Sequence, residues 1–182
     1  MIIIYSTICF GNKDISITDA LAKSEISLYS QSGKGQLTTC GVEFNGIDSN
    51  LNYFSGTFAL LYLGNGNIAP VFKLKSIKLK QDGSVITNPL TNIWLNSPNN
   101  STFSKAWVSK PDGNEITMIS RDVEDMAIFV DITTSKKIKI GYLHEGSNID
   151  FVYQLKTFPT EDSKKAKNCF MQLTAQAVKA NS

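Results

Sequence analysis

The sequence predicts a mainly β protein, an antiparallel β-sandwich or open barrel with one C-terminal amphipathic α-helix. Three observations predict this class. Apolar and polar residues alternate in short segments along the middle of the chain, and Gly-, Asn- and Asp-containing turn signals separate those segments. An apolar stripe with helical spacing follows Pro159. With 182 residues the chain can bury a sizeable core, and we expect one domain.

The first predicted strands lie between residues 37 and 80. Leu37–Phe44 contains strand-forming residues, and Phe58–Leu63, "FALLYL", is apolar on both faces, which is typical of a central strand. Val71–Lys80, "VFKLKSIKLK", alternates as a half-buried strand does. The alternation changes phase between Ser76 and Ile77, which predicts a β-bulge at that point.

Two later segments are also predicted as strands. Met126–Ile132, "MAIFVDI", carries its apolar residues at even positions. The segment "KKIKIGYLHEGSNIDF" resembles a β-hairpin, since Gly146, Ser147 and Asn148 supply a turn and Ile149–Leu155 alternates after it.

The C-terminal segment, about residues 160–180, is predicted to be the helix. Thr160 is a suitable N-cap, and the acidic Glu161 and Asp162 follow in the first turn, where the helix dipole favours negative charge. The apolar residues then recur every three or four positions, at Ala166, Cys169, Phe170, Leu173 and Ala177. We expect this stripe to pack on the sheet.

The opening residues 1–11 are interpreted as a truncated signal peptide. A short apolar run at Ile2–Tyr5 is followed by small residues and then by polar sequence from Asn12. The basic residues that normally precede the apolar run are missing, and the alternative is an N-terminal β-strand. We therefore expect a single β-rich domain over residues 12–182 that is periplasmic or secreted, in a bacterium, with a cytoplasmic location as the alternative.

The interpretation of the cysteines depends on the same prediction of export. Cys9 would leave with the signal peptide, so Cys40 and Cys169 remain. Two cysteines in an exported chain most simply form a disulfide, which here would tie the last helix to an early strand. The alternative is a pair of buried free thiols.

Composition and missing motifs exclude several classes of function. The net charge is +2 and Arg121 is the only arginine, so we expect no nucleic-acid partner. No stretch is long and apolar enough to cross a bilayer. His144 is the only histidine, and there is no C-x-x-C, so we expect neither a metal nor a cofactor.

The sequence also predicts a protein without catalytic activity. His144, Ser147 and Asp150 all lie in one predicted hairpin, whereas catalytic triads are assembled from separate elements. The remaining enzymatic alternative is a carboxylate-dependent hydrolase, which needs two acids about 5–10 Å apart across a cleft. Its candidate acids are Glu43, Asp122, Glu124 and Asp125.

A row of lysines offers a candidate partner surface, formed by Lys73, Lys75, Lys78 and Lys80. The simpler interpretation is the solvated side of a strand or a protected sheet edge, with Lys73 and Lys75 on one face and Lys78 and Lys80 on the other. The leading hypothesis is a non-enzymatic exported binding or accessory protein with a protein partner. The alternative is an immunity protein that neutralises a partner toxin.

Overall fold

The computed structural model describes residues 25–47, 52–80, 82, 84–87, 89–97, 107–108, 115–120, 125–134, 138–148, 151–154 and 160–181. Some predictions concern residues outside these ranges. They include the signal peptide over residues 1–11, the candidate acids Asp122 and Glu124, Asp150 of the hairpin, and the two ends, Ile149 and Leu155, of its second predicted strand.

The described residues form two open antiparallel sheets and two helices. The strands are β1 (Glu25–Gly33), β2 (Gln36–Ile47), β3 (Asn52–Gly64), β4 (Asn67–Leu79), β5 (Val85–Thr87), β6 (Leu90–Asn96), β7 (Trp107–Val108), β8 (Glu115–Ile119), β9 (Lys139–His144) and β10 (Phe151–Gln154). The helices are α1 (Met126–Thr133) and α2 (Thr160–Ala180). The long sheet has the order β1-β2-β3-β4-β8-β7, with β5 beside β4, and the small sheet has the order β10-β9-β6. Neither sheet closes into a barrel, so the sandwich with a C-terminal helix is confirmed.

The long sheet has one buried face because its strands are in register. One row of paired residues runs across β2, β3, β4 and β8 and is buried throughout. It consists of Val42, Phe58, Phe72 and Met118. Side chains two residues apart share a face, so the even-numbered residues of these strands form the core side, here called the inner face. The strand predicted at Phe58–Leu63 is central, since β3 pairs with both β2 and β4.

The second layer of the sandwich is part sheet and part helix. Tyr142 of the small sheet lies 5.8 Å from Phe54 of the long sheet, measured between ring centroids. Phe129 of α1 lies 6.2 Å from Phe58 and 5.5 Å from Phe170 of α2. The small sheet and both helices therefore cover the inner face, and aromatic side chains fill the space between the layers.

Helix α2 has the predicted limits, and four of the five residues of the predicted stripe are buried, whereas Phe170 is only partly buried. The buried residues are Ala166, Cys169, Leu173 and Ala177. The predicted disulfide is present, since Cys40 of β2 is bonded to Cys169 with their Cα atoms 5.9 Å apart. The bond links residues 129 positions apart, a loop for which chain entropy predicts about 5 kcal/mol of stabilisation as an upper figure.

The β9–β10 hairpin is also as predicted. Tyr142 faces Phe151 across the pair, and the turn contains Gly146 with φ of 73°, a conformation that glycine adopts without strain.

The strand predicted at Met126–Ile132 is wrong, because this segment is helix α1. A strand with its even positions inward would bury Val130 and expose Phe129. The structure has the opposite, with Phe129 buried beside Ile128 and Val130 46% exposed. A short apolar run fits either periodicity, and here contacts of Phe129 with the sheet and with α2 favour the helix.

The predicted β-bulge at Ser76 and Ile77 is also wrong. β4 pairs with β3 without a register shift from Ile68 to Lys78. Ser76 stays on the inner face and is fully buried, and its hydroxyl lies 3.0 Å from Nε2 of His144. The polar residue interrupts the apolar pattern because it has a partner in the core, so the strand needs no extra residue.

Candidate functional site

The candidate site is the side of the long sheet opposite the helices and the small sheet, here called the outer face. Odd-numbered side chains of β2, β3, β4 and β8 form it. The strand register sets two rows across the four strands. One row is Glu43, Thr57, Lys73 and Thr117, and the other is Asn45, Ser55, Lys75 and Glu115.

A recess of about 370 Å³ lies on this face. Its middle is formed by the short side chains of Ser55 and Thr57 on β3, and longer side chains on β2 and β4 stand on either side. Tyr53, two residues before Ser55 on β3, lies on the same face and also lines the recess. The recess therefore arises because the central strand carries small residues and the strands beside it carry long ones.

The charges of the recess are mixed. Nζ of Lys73 lies 2.9 Å from Oε1 of Glu115, and both side chains remain partly exposed. The hydroxyl of Ser27 donates a hydrogen bond of 3.1 Å to Oε1 of Glu43. Lys75 is exposed and forms no ion pair with any residue that the structure describes. The face therefore offers two ammonium groups, several hydroxyls and two carboxylates, of which Lys73 and Glu115 are paired with each other.

The four lysines singled out in the sequence do not form one surface. Lys73 and Lys75 line the recess. Lys78 is exposed near the end of β4 and starts from the opposite side of the strand, as alternation requires. Lys80 follows the end of β4, where its backbone N–H donates to the carbonyl of Ser84 at 2.9 Å.

The candidate acids that can be placed do not meet. Glu43 lies on the outer face, at the recess. Asp125 is buried immediately before α1, the helix that packs on the inner face. The sheet separates these two carboxyl groups, so they do not share a cleft.

His144 lies in the core between the sheets, 3% exposed, beside the hydroxyl of Ser76. The ring of Tyr142 approaches the imidazole edge-on at 5.2 Å. The backbone N–H of Ser147 donates to the carbonyl of His144 within the hairpin turn. The geometry is that of a hydrogen-bonded polar pair inside a core. Sequence reasoning missed Ser76, although its signal was the break in alternation at that residue.

A second buried polar contact joins α1 to the end of β6. The hydroxyl of Ser97 donates to Oδ2 of Asp131 at 2.6 Å, and both residues are buried. In the described part of the chain, no group of three or more His, Cys, Asp or Glu side chains is placed to hold a metal ion. Among the same residues, no helix has the length and hydropathy needed to cross a membrane.

Comparison of the chain with protein-family models, with curated proteins and with solved structures finds no match.

Proposed function

We propose that this is a non-enzymatic, exported binding or accessory protein that holds a protein partner on its outer face. The observation that carries the proposal is the recess at Ser55 and Thr57, an open polar hollow on the side of the long sheet that faces away from the helices and the small sheet. A hollow with small residues at its centre accepts a side chain or a loop from a partner.

The chemistry of the recess suits a protein surface. Hydroxyl groups and charges of both signs pair with the hydrogen-bonding groups and ions of a partner, and such complementarity gives specificity and a defined orientation. Tyr53 adds an aromatic side chain, a residue type enriched where interfaces bind most strongly. Lys75 supplies a cation for a carboxylate of the partner.

The disulfide between Cys40 and Cys169 is consistent with export, because disulfides persist in oxidising compartments and are rare in the cytosol. Intact-mass measurement on protein recovered from fractions of the source cells tests this part. We expect recovery from the envelope or the medium, with both cysteines resistant to alkylation until reduced. Cytosolic protein with alkylatable cysteines would contradict export.

The outer face is tested by a matched pair of variants. Ser55→Arg fills the recess, whereas Gln172→Arg adds the same charge on an exposed position of α2. Each protein is used to capture partners from an envelope extract, followed by quantitative mass spectrometry. We expect one partner that wild type and Gln172→Arg retain equally and that Ser55→Arg loses. Equal capture by all three proteins would exclude the recess as the binding site.

The same experiment separates the other hypotheses. If the captured partner is a toxin that this protein inhibits at one-to-one stoichiometry, the accessory role is specifically that of an immunity protein. A hydrolase activity that disappears in Glu43→Gln while the fold is retained would contradict the non-enzymatic proposal, since Glu43 is the candidate acid at the recess.

A further inference from the structure

A second concavity of about 560 Å³ lies between α1 and α2, on the opposite side of the long sheet from the outer face. Here we call it the helix groove. Phe129 and Phe170 form its aromatic part, with ring centroids 5.5 Å apart. Val130 and Met171 also line it, and they are 46% and 56% exposed. Large apolar side chains exposed together on a soluble surface indicate a binding site.

The spacing of residues along α2 explains how the helix groove arises. One side of α2 carries the residues that line the groove. Lys167 follows Ser163 by four residues, and Phe170 and Met171 follow Lys167 by three and four. This side is distinct from the buried stripe that packs on the sheet. At 1.5 Å per residue α1 is about 12 Å long and α2 about 31 Å, so α1 covers only part of that side.

The polarity of the helix groove changes along α2. Its N-terminal part is lined by Thr160, Ser163 and Lys164, with Lys167 one turn further on. The C-terminal part is lined by Phe170 and Met171. The distance from residue 164 to residue 171 along the helix axis is about 10 Å. One end is therefore polar and cationic and the other apolar.

The charged side chains that line the polar end of the helix groove are of one sign. The described residues that line the helix groove include two lysines and no carboxylate. The nearby acid Asp162 is directed to Lys165, with Oδ1 and Nζ 3.6 Å apart. Glu161 and Asp162 in the first turn offset the partial positive charge at the start of α2, so the preference for an anion depends on Lys164 and Lys167 in the lining of the groove. An anion is thus favoured at this end.

We propose that the helix groove binds a medium- or long-chain carboxylate, that is, a free fatty acid. The carboxylate lies between the ammonium groups of Lys164 and Lys167, and the alkyl chain extends along Phe170 and Met171 towards Phe129. The volume falls within the roughly 300–1,000 Å³ typical of small-molecule sites. The short apolar section suits a single alkyl chain better than an amphipathic helix, which needs anchors over several turns. The proposal is independent of the partner site on the outer face.

Isothermal titration calorimetry of the folded protein with sodium decanoate, below its micelle concentration, tests the proposal. We expect saturable binding with one site per chain. Butanoate retains the carboxylate but lacks most of the chain, and decyltrimethylammonium retains the chain with the opposite charge. Both should bind at least about tenfold more weakly, because each buried methylene and each ion pair contributes to affinity.

Variants assign the binding to the helix groove. Lys164→Gln combined with Lys167→Gln should weaken decanoate binding roughly tenfold and remove the preference over decyltrimethylammonium. Met171→Glu should abolish binding, and because Met171 is exposed the fold should be retained, as circular dichroism can check. Lys165→Gln is the matched control on the same helix and should bind as wild type does.

Three outcomes would overturn the proposal. The first is the absence of saturable decanoate binding. The second is equal binding by wild type, Met171→Glu and the double lysine variant. The third is binding to phosphatidylcholine vesicles containing phosphatidylglycerol with no response to decanoate, since that result would identify a membrane surface as the ligand of the lysines.

Discussion

The imidazole Nε2 of His144 lies 3.0 Å from the hydroxyl of Ser76 in the buried space between the two sheets. This contact joins β4 of the long sheet to β9 of the small sheet, over 68 residues of sequence. It is a polar contact within a layer that aromatic and aliphatic side chains otherwise dominate. Burial of polar groups is tolerated where hydrogen bonds replace those lost to water, so the pair helps to determine how the two sheets are placed.

Removal of this hydroxyl should destabilise the protein. We expect Ser76→Ala to lower the free energy of unfolding by about 1–3 kcal/mol, because the buried imidazole loses a hydrogen bond that water cannot replace. Urea unfolding monitored by tryptophan fluorescence measures the change. Ser55→Ala, on the outer face of β3, is the control and should stay within about 0.5 kcal/mol of wild type. Equal stabilities of the two variants would show that the His144 contact contributes little.

Much of the fold could be predicted where a single local pattern decides it. The stripe at Ala166, Cys169, Leu173 and Ala177 has one periodicity over several turns, and the helix has the expected limits. The pairing of Cys40 with Cys169 followed from the small number of cysteines.

Features that depend on contacts distant in the sequence were not predictable in this way. Ser76 looks like a break in alternation until His144 is known to lie opposite it. The segment of α1 fits a strand until Phe129 is seen between the sheet and α2.

The recess and the helix groove were unpredictable for the same reason. The recess forms because β4 and β8 pair in the register that places Lys73 near Glu115. The sequences of these two strands do not reveal that they are neighbours in the sheet. The lysines of β4 could be predicted to be exposed. The sequence did not show which of them share a face with the small residues of β3. The helix groove is formed partly by Phe129 and Val130 of α1. Because the sequence predicted a strand at this segment, the groove could not be predicted.

The close approach of β2 and β3 at Gly41 makes this residue sensitive to substitution. A Cβ atom there would meet the backbone oxygen of Phe58 and the Cα of Ala59, neither of which can move without displacing the strand. We expect Gly41→Ala to lower the free energy of unfolding by about 3 kcal/mol or to prevent folding, as overpacking in cores does. Gly33→Ala is the control, because its Cβ would have only an ordinary contact with Thr38. Thermal melting of both variants gives the comparison, and equal melting temperatures would contradict the expected crowding.

The turn after β4 contains a carboxyl group with a perturbed pKa. Hydrogen bonds from the side chain and from the backbone N–H of Ser84, the latter 2.8 Å from Oδ1, hold the pKa of Asp82 below its ordinary value. A lowered pKa means that the charged form stabilises the turn above the ordinary pKa of aspartate, and this contribution is lost as pH falls through the folded value. Ser84→Ala should raise the pKa of Asp82 towards normal in an NMR titration of the carboxyl carbon. An unchanged titration midpoint would assign the shift to the backbone N–H alone.

The disulfide should determine how strongly α2 is held to the long sheet. Cys40 is fully buried and Cys169 nearly so, and the bond closes a loop of 129 residues. We expect the Cys40→Ala, Cys169→Ala double variant to lose about 2–5 kcal/mol of unfolding free energy, because the unfolded chain regains the entropy of that loop. Guanidinium unfolding of wild type with and without reductant measures the same quantity independently.

The double variant should be insensitive to reductant and should match reduced wild type, apart from the small effect of the alanine side chains. Reduced wild type with unchanged stability would show that packing of Leu173 and Ala166 alone holds the helix in place. Loss of decanoate binding on reduction, at a temperature where the reduced protein remains folded, would further show that the disulfide maintains the position of α2 that forms the helix groove.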